Sequence, residues 1–469
     1  MTKKILLTLL SPLRCAIMLT VVVAALIIPD ACGADTTGAT TEITVVPQAA
    51  PPDLPLPVSD DWALHGQITN ITQKHRDFTA AYSGAQSLSP RGPAEETTDA
   101  TLMIGRRLWD GAEMWIDPEI DQGYGFNNTL GIAGFPNGAA YKLGSSTPYA
   151  RITRLFMRQT FSLEGDRADL EAAANQFGGN TGVNNVTITA GKFSATDIFD
   201  TNSYAHDPRV DFLNWAIIDG GSYDYGADPW GFTWGGTLEW TQNWWTLRGG
   251  IFQLSPQPNG KIVRINFGAT SSNLELEARH NWGGHPGKIK LLAWINQGRM
   301  ARYQDALLLS QQTHTIPIVA SVRRESSRPG VVLNVEQEIA DEVGVFLRLS
   351  ADRGDKETYE FSDINQSLSG GFSIKGSSWR RHDDTVGVAG VVNRISGQAQ
   401  SYFAAGGMGL LVGDGQLNYA PEKIVELYYA WQVVPTIAIT LDYQHVTHPA
   451  YSLDRGPVAI YGARLHASF

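Results

Sequence analysis

Two short segments carry acids, bases and rings at alternate positions. In Gly111–Glu119 (GAEMWIDPE) these are Glu113, Trp115, Asp117 and Glu119; in Arg151–Phe161 they are Arg154, Phe156 and Arg158. On an extended strand, alternate residues share a face. The two segments would therefore turn carboxylates, guanidiniums and aromatic rings toward one cavity. That set suits a polyhydroxyl solute such as a sugar. Each hydroxyl both donates and accepts, so acidic and basic side chains together can replace its water shell. Rings cover the C–H faces of a sugar without demanding one orientation. Several weak sites in series let a solute enter and still leave. Taken singly, each of these residues also fits a second reading, a lining whose charges pair with one another and stay wet. Other chemistries are poorly served. The 10 His are dispersed, and His206-Asp207 and His382-Asp383-Asp384 come nearest to a constellation. Metal sites need several converging ligands, and neither a GxSxG elbow nor an HExxH pair occurs. No catalytic residue, metal site or cofactor is expected.

Such a lining needs strands, and period two is the strongest signal in the chain. At the carboxyl end Tyr461, Ala463, Leu465, Ala467 and Phe469 alternate with Gly462, Arg464, His466 and Ser468. Upstream, Ile437, Ile439, Leu441 and Tyr443 alternate with Ala438, Thr440, Asp442 and Gln444. Before these, Val425, Leu427, Tyr429, Trp431 and Val433 alternate with Glu426, Tyr428, Ala430 and Gln432. An earlier run sets Phe232, Trp234, Leu238 and Trp240 against Thr233, Gly235, Thr237 and Glu239. A soluble β-sandwich alternates too. Three features favour a membrane barrel instead: an export signal, aromatics near strand ends (Trp240, Trp244, Trp245, Tyr428, Tyr429, Trp431, Tyr443), and a last strand ending on Phe469. Lipid requires an apolar outer face with aromatic girdles at both interfaces. Residues 61–469 divided by roughly 25 per strand and connection give about 16 strands, or 18. The expected fold is all-β: a transmembrane antiparallel barrel with short periplasmic turns and long extracellular loops. A barrel of about 16–18 strands is wide enough for an aqueous channel.

Composition and the amino terminus agree. The 469 residues are 18% charged with 48 Gly, 13 Trp and a net charge of -11. Past residue 34 no apolar run approaches the roughly 18–20 residues of a spanning helix. The acidic balance opposes nucleic-acid binding, which needs basic patches. Lys3, Lys4 and Arg14 precede a run from Cys15 to Ile28 that is apolar apart from Thr20, and Cys32-Gly33-Ala34 follows. This reads as a secretory signal, residues 1–34, cleaved after Ala34. It is short for a membrane anchor, and Pro29 and Asp30 fit poorly with a lipoprotein signal at Cys32. Cleavage removes both cysteines and shifts the net charge from -11 by the loss of Lys3, Lys4, Arg14 and Asp30 to -13. Residues 35–60, with prolines at 47, 51, 52, 55 and 57, read as an extended periplasmic linker. One barrel domain, 61–469, follows.

Several stretches together resemble the carbohydrate-selective outer-membrane porin family, the OprB-like porins. They are Leu64–Thr69 with Tyr82, Gly84, Ser87 and Leu88; Trp115–Gly123; Gly131–Gly138; Arg154–Phe161; Ala190–Ser194 with Asp197, Phe199 and Asp200; and Asn202–Trp215. Glu426–Tyr429, Asp442–His445 and Phe469 add to them. Any one of these is weak, but the set is specific. The resemblance implies a water-filled monomeric barrel of 16 strands in the outer membrane of a Gram-negative bacterium. Such a barrel passes mono- or small oligosaccharides by facilitated diffusion, and the barrel-assembly machinery reads the strand ending at Phe469. Acidic and basic residues near the constriction are implicated in sugar choice. By motif position these are Glu119, Arg154 and Arg158, then Glu113, Trp115, Asp117 and Phe156. Lys192 also falls in a matching motif, but alternation from Val186 puts it on the lipid side unless the strand ends near Gly191. Asp117 departs from the Asn expected there. A general or anion-selective porin is the nearest alternative; an outer-membrane enzyme or a secreted lectin is more distant.

Overall fold

The computed structural model describes residues 61–140, 144–361 and 363–469. The signal-peptide and linker assignments therefore lie outside the described residues. Eighteen strands are described: β1 (Trp62–His75), β2 (Glu95–Trp109), β3 (Ala112–Gly123), β4 (Ser145–Ser162), β5 (Arg167–Leu170), β6 (Gly179–Gly182), β7 (Asn185–Phe193), β8 (Thr233–Gln242), β9 (Trp245–Gln253), β10 (Thr270–Trp282), β11 (His285–Met300), β12 (Arg324–Ala340), β13 (Val343–Asp352), β14 (Gln366–Gly376), β15 (Arg381–Arg394), β16 (Glu422–Val434), β17 (Ile437–Thr447) and β18 (Val458–Ser468). Sixteen of them close into one antiparallel barrel; β5 and β6 form a separate hairpin, so β4 pairs with β7. The ring is sealed by β1 against β18, from Gln67↔Ser468 to His75↔Ile460. Closure gives every strand two neighbours and leaves no edge.

Alternation decides which face is which. On β17, Leu441 is 64% exposed and its neighbour Thr440 1%. Across the barrel the outer face is aliphatic, while Thr, Asn, Glu, Arg and Lys point inward. Exposed Trp62, Trp109, Trp240, Trp244, Trp282, Trp431 and Phe469 gather at one rim, as an interfacial belt should. Two aromatics depart from the sequence reading. Tyr428 is buried in the lumen with its ring 4.9 Å from Phe212. Phe232 precedes β8, which starts at Thr233, and is buried inside.

The belted rim carries the short turns 110–111, 243–244, 283–284, 341–342, 377–380 and 435–436, with residues 163–184 as the exception. The opposite rim carries the longer loops, among them 76–94, 124–144, 194–232 and 395–421. Loop 194–232 folds into the barrel and is buried over most of its length. A buried loop must find partners for its own backbone, and the inner wall supplies them. Glu426 accepts from the N–H groups of Leu213 and Asn214. Arg464 donates to the carbonyls of Pro208 and Asp211, both at 2.7 Å, and Arg348 to that of Ile217 at 2.8 Å. Glu422 does the same for loop 124–144, accepting from Ala133 at 3.0 Å and Gly134 at 2.8 Å. Stacked rings, Phe135 on Trp215 at 5.1 Å and Trp215 on Phe361 at 4.9 Å, fill the space between the loops. The internal loop thus leans on the β10–β18 wall and faces β2, β3 and β4.

Candidate functional site

On β3 the inward positions are Glu113, Trp115, Asp117, Glu119 and Asp121. Its partner β4 does not keep strict alternation. Asp117 pairs with Arg154, but the next residue, Pro118, pairs with Ile152, leaving Thr153 as an extra residue. Pro118 has no N–H to give the ladder, and the Thr153 hydroxyl bonds the Asp117 carbonyl at 3.1 Å. A bulge reverses the parity of everything beyond it. Arg151 and Arg154, three positions apart, consequently both enter the lumen.

The result is a ladder of ion pairs. From the belted rim inward, Arg158 meets Glu113 at 2.6 Å, and Arg154 holds Asp197 of the internal loop at 2.6 and 2.8 Å with Asp117 at 3.6 Å. Arg151 binds Glu119 at 2.6 Å and also Asp121. Arg209, again from the internal loop, meets Asp99 at 2.8 Å and Glu119 at 3.6 Å. Thr101 donates to Glu119 at 2.7 Å. Burial acts to raise the pKa of Asp197, but the Arg154 guanidinium, joined by the Ser194 N–H and His206, holds it below the usual range.

Exposure is unevenly divided within these pairs. The Arg151, Arg154, Arg158 and Arg209 side chains keep 15%, 18%, 25% and 17% of their surface, whereas Asp117 keeps 0% and Glu119 and Asp121 1%. The arginine side chains therefore keep surface open to the lumen, and these carboxylates stand behind them. Burying such charges costs several kcal/mol each unless hydrogen bonds satisfy them, and the bidentate Arg151–Asp121 and Arg154–Asp197 contacts do so for those two carboxylates. An arginine held this way keeps its guanidinium in a fixed orientation, from which an N–H left open to the lumen can donate to a hydroxyl oxygen; Nη1 of Arg151 is buried and is not among these.

Rings flank the same track. Phe232 lies under Arg151 and Arg154 at 5.4 and 5.0 Å. Trp230 lies 5.7 Å from Arg151 and donates to the Tyr149 hydroxyl at 3.0 Å. Trp115 and Phe156 do not offer free faces. Trp115 is fully buried beside Phe177 and stacks on His65 at 6.2 Å, and Phe156 is 4% exposed with Arg158 at 5.2 Å. These two rings support the ladder from below. Toward the loop rim a cavity bordered by Gln86, Tyr303, Arg323, Glu357 and Asp363 opens among the loops.

Lys192 keeps the outward register, opposite Leu155 and Trp234, and β7 continues past it to Phe193. Its ammonium ends at the strand tip on the Ile152 carbonyl at 2.9 Å and on Asp228 at 3.5 Å. It thus touches the internal loop without joining the ladder. Glu113, Asp117, Glu119, Arg154 and Arg158 are brought together as the alternation suggests. The sequence reading does not place Arg151, Asp121, Asp99, Arg209 or Trp230 in the path, names Asp197 only within a matching stretch, and sets Phe232 on the apolar face. A proline inside a central strand is the one local sign that would have exposed Arg151. The loop residues carry no local signal, since their neighbours lie on strands far along the chain. Outside the ladder, His285, Glu338 and Asp341 meet at the belted rim, where the imidazole pairs with Glu338 at 2.9 Å.

Residues 85–469 match the family model described as the carbohydrate-selective porin, OprB family. Among solved structures, the high-pH structure of Pseudomonas putida OprB aligns with a TM-score of 0.66 at 13% identity, covering 87% of this chain and 94% of that one. The low-pH structure of the same protein gives 0.48 at 11% identity over 87% and 93%. The outer membrane channel DcaP of Acinetobacter baumannii gives 0.47 at 11% over 87% and 97%. No curated protein sequence matches.

Proposed function

The chain belongs to the carbohydrate-selective porin family, OprB, and is a carbohydrate porin of the Gram-negative outer membrane; from that premise we propose that its sugars travel along the arginine ladder of β4 and the internal loop. One observation carries this reading: the arginine side chains keep surface open to the lumen while most of their carboxylate partners lie buried behind them. The arginines donate to sugar hydroxyls, and the acids Glu113, Asp117, Glu119, Asp121 and Asp197 fix their orientation and cancel most of their charge. A neutral solute then competes for these donors with water rather than with anions. Trp230, half-buried beside Arg151, supplies the apolar side of the track, with Phe232 packed beneath the arginines. Each contact contributes about 0.5–1.5 kcal/mol net, weak enough for release. The chain performs no chemical step in this reading, and one barrel is a complete path, which favours a monomer. Residues 1–34 serve as the export signal and 35–60 as the periplasmic linker. The final strand, ending at Phe469, is what the assembly machinery would engage.

Single-channel recording tests the path. Arg154→Ala removes the contacts to Asp197 and Asp117 and should weaken block of the ion current by monosaccharide about 2–10-fold, the equivalent of one such contact. If sugar leaves the current untouched in the unaltered protein, and Arg154→Ala changes ion selectivity alone, the chain is a general or anion-selective pore and the ladder is not a sugar path.

A further inference from the structure

Residues 163–184 stand at the periplasmic rim, where the other described connections between barrel strands are short turns. There β5 and β6 pair from Arg167↔Gly182 to Leu170↔Gly179, and the tip between them turns up into the lumen. Two backbone hydrogen bonds close the tip: Ala173 and Gln176 exchange them at 3.1 and 3.0 Å, with Asn175 at φ 58° between them. Its contacts are to the ladder itself. Arg158 donates to the Asn175 carbonyl at 2.8 Å, and the Asn175 amide donates to Asp117 at 2.9 Å. The Phe177 N–H donates to Glu113 at 3.2 Å. The Phe177 ring lies 5.2 Å from Trp115 and 4.6 Å under Arg107, which also donates to the Gly178 carbonyl.

We propose that this hairpin tip is a second constriction, built from the periplasmic side, that limits the size of the sugar able to leave the ladder. The internal loop supplies Asp197 and Arg209 to the upper rungs; the hairpin supplies Asn175 and Phe177 to the lowest ones. The two elements narrow one lumen from opposite ends, so a solute meets them in series. The Asn175 amide and carbonyl are held by Asp117 and Arg158 and the Phe177 ring is buried, so these groups narrow the lumen and add no charge of their own. Its anchors are the side chains already assigned to the path, so sugar and hairpin share Arg158, Glu113 and Asp117. This inference rests on the sugar-path reading above.

The test replaces residues 166–182 of the full-length protein with an Asn-Gly turn and, as a milder change, makes the double variant Asn175→Gly/Phe177→Ala. Folding is checked by the heat-dependent shift of the barrel on gels. Conductance, the largest polyethylene glycol that enters the pore, and liposome swelling in mono-, di- and trisaccharides are then measured. The turn variant should at least double the conductance, admit larger polymers and bring disaccharide swelling close to the monosaccharide rate. The double variant should move in the same direction by less. Either variant folded with the original conductance and size limit overturns the proposal. Polymer exclusion involves no sugar recognition, so it judges the hairpin even if sugar block of the unaltered protein fails and the path reading falls.

Discussion

Glu119 is surrounded by Arg151 at 2.6 Å, Arg209 at 3.6 Å and the Thr101 hydroxyl at 2.7 Å, and almost none of it is exposed. Its work is done through the arginines in front of it. Glu119→Gln keeps the volume and an acceptor for Thr101 but removes the charge that offsets two guanidiniums. The expected outcome is a reversal potential shifted toward anions and a sugar block weaker by about 2–10-fold, consistent with one loosened contact. A changed selectivity with intact block would make Glu119 a charge-setting residue only. That Glu119 and Arg154 face one cavity was legible from alternation. That the acid lies behind the base was not, because depth depends on what the internal loop brings to the opposite side.

At the scale of elements, the Thr153 bulge accounts for Arg151 and Arg154 both entering the lumen. Deleting Thr153 removes the extra residue itself: Ile152 then follows Arg154 directly, so Ile152 stays outward, Arg151 and Tyr149 stay inward, and only the bulge with its hydroxyl bond to the Asp117 carbonyl is lost. Arg151 would keep Glu119 and Asp121 as its partners. The deletion should therefore leave a heat-modifiable barrel whose current is still blocked by sugar; a barrel that folds but loses the block would show that the bulge itself, and not only the facing of Arg151, shapes the ladder. The internal loop is the second decisive element. Its length can be read from the chain, but its inward course depends on Glu426, Arg464 and Arg348, wall residues that satisfy its backbone. In a one-dimensional reading those three are simply the polar half of an alternating strand.

For the whole molecule, stability comes from closure and from the match to lipid. The ends meet where Gly66 and Phe469 exchange backbone hydrogen bonds at 3.0 and 2.9 Å. The Phe469 ring lies so close that a Cβ on Gly66 would fall 2.4 Å from it. The terminal aromatic therefore covers the seam between the first and last strands. Leu441, 64% exposed on the outer face of β17, marks the lipid side. Leu441→Arg should destabilise the folded barrel by about 2–4 kcal/mol, read as a lower denaturant midpoint in lipid vesicles, with pore conductance of the folded fraction unchanged. A conductance change would mean that β17 is not oriented as described.

Strand type, the facing of each strand and the approximate number of strands all follow from local quantities: a period of two, a spanning length set by the bilayer, and a chain of 469 residues. Those features survive without knowledge of neighbours, so alternation alone resolves them. It fails where geometry departs from the period, at the Thr153 bulge and before β8, where Phe232 turns inward. It is also silent about partners distant in the chain. Arg209 finds Asp99 across 110 positions, and Arg464 reaches the Val210 carbonyl across 254. Such pairs form only after the barrel has closed and fixed the distance between its walls. The lining residues are thus a property of the strands, but which of them a solute can touch is a property of the loop and hairpin that fill the ring.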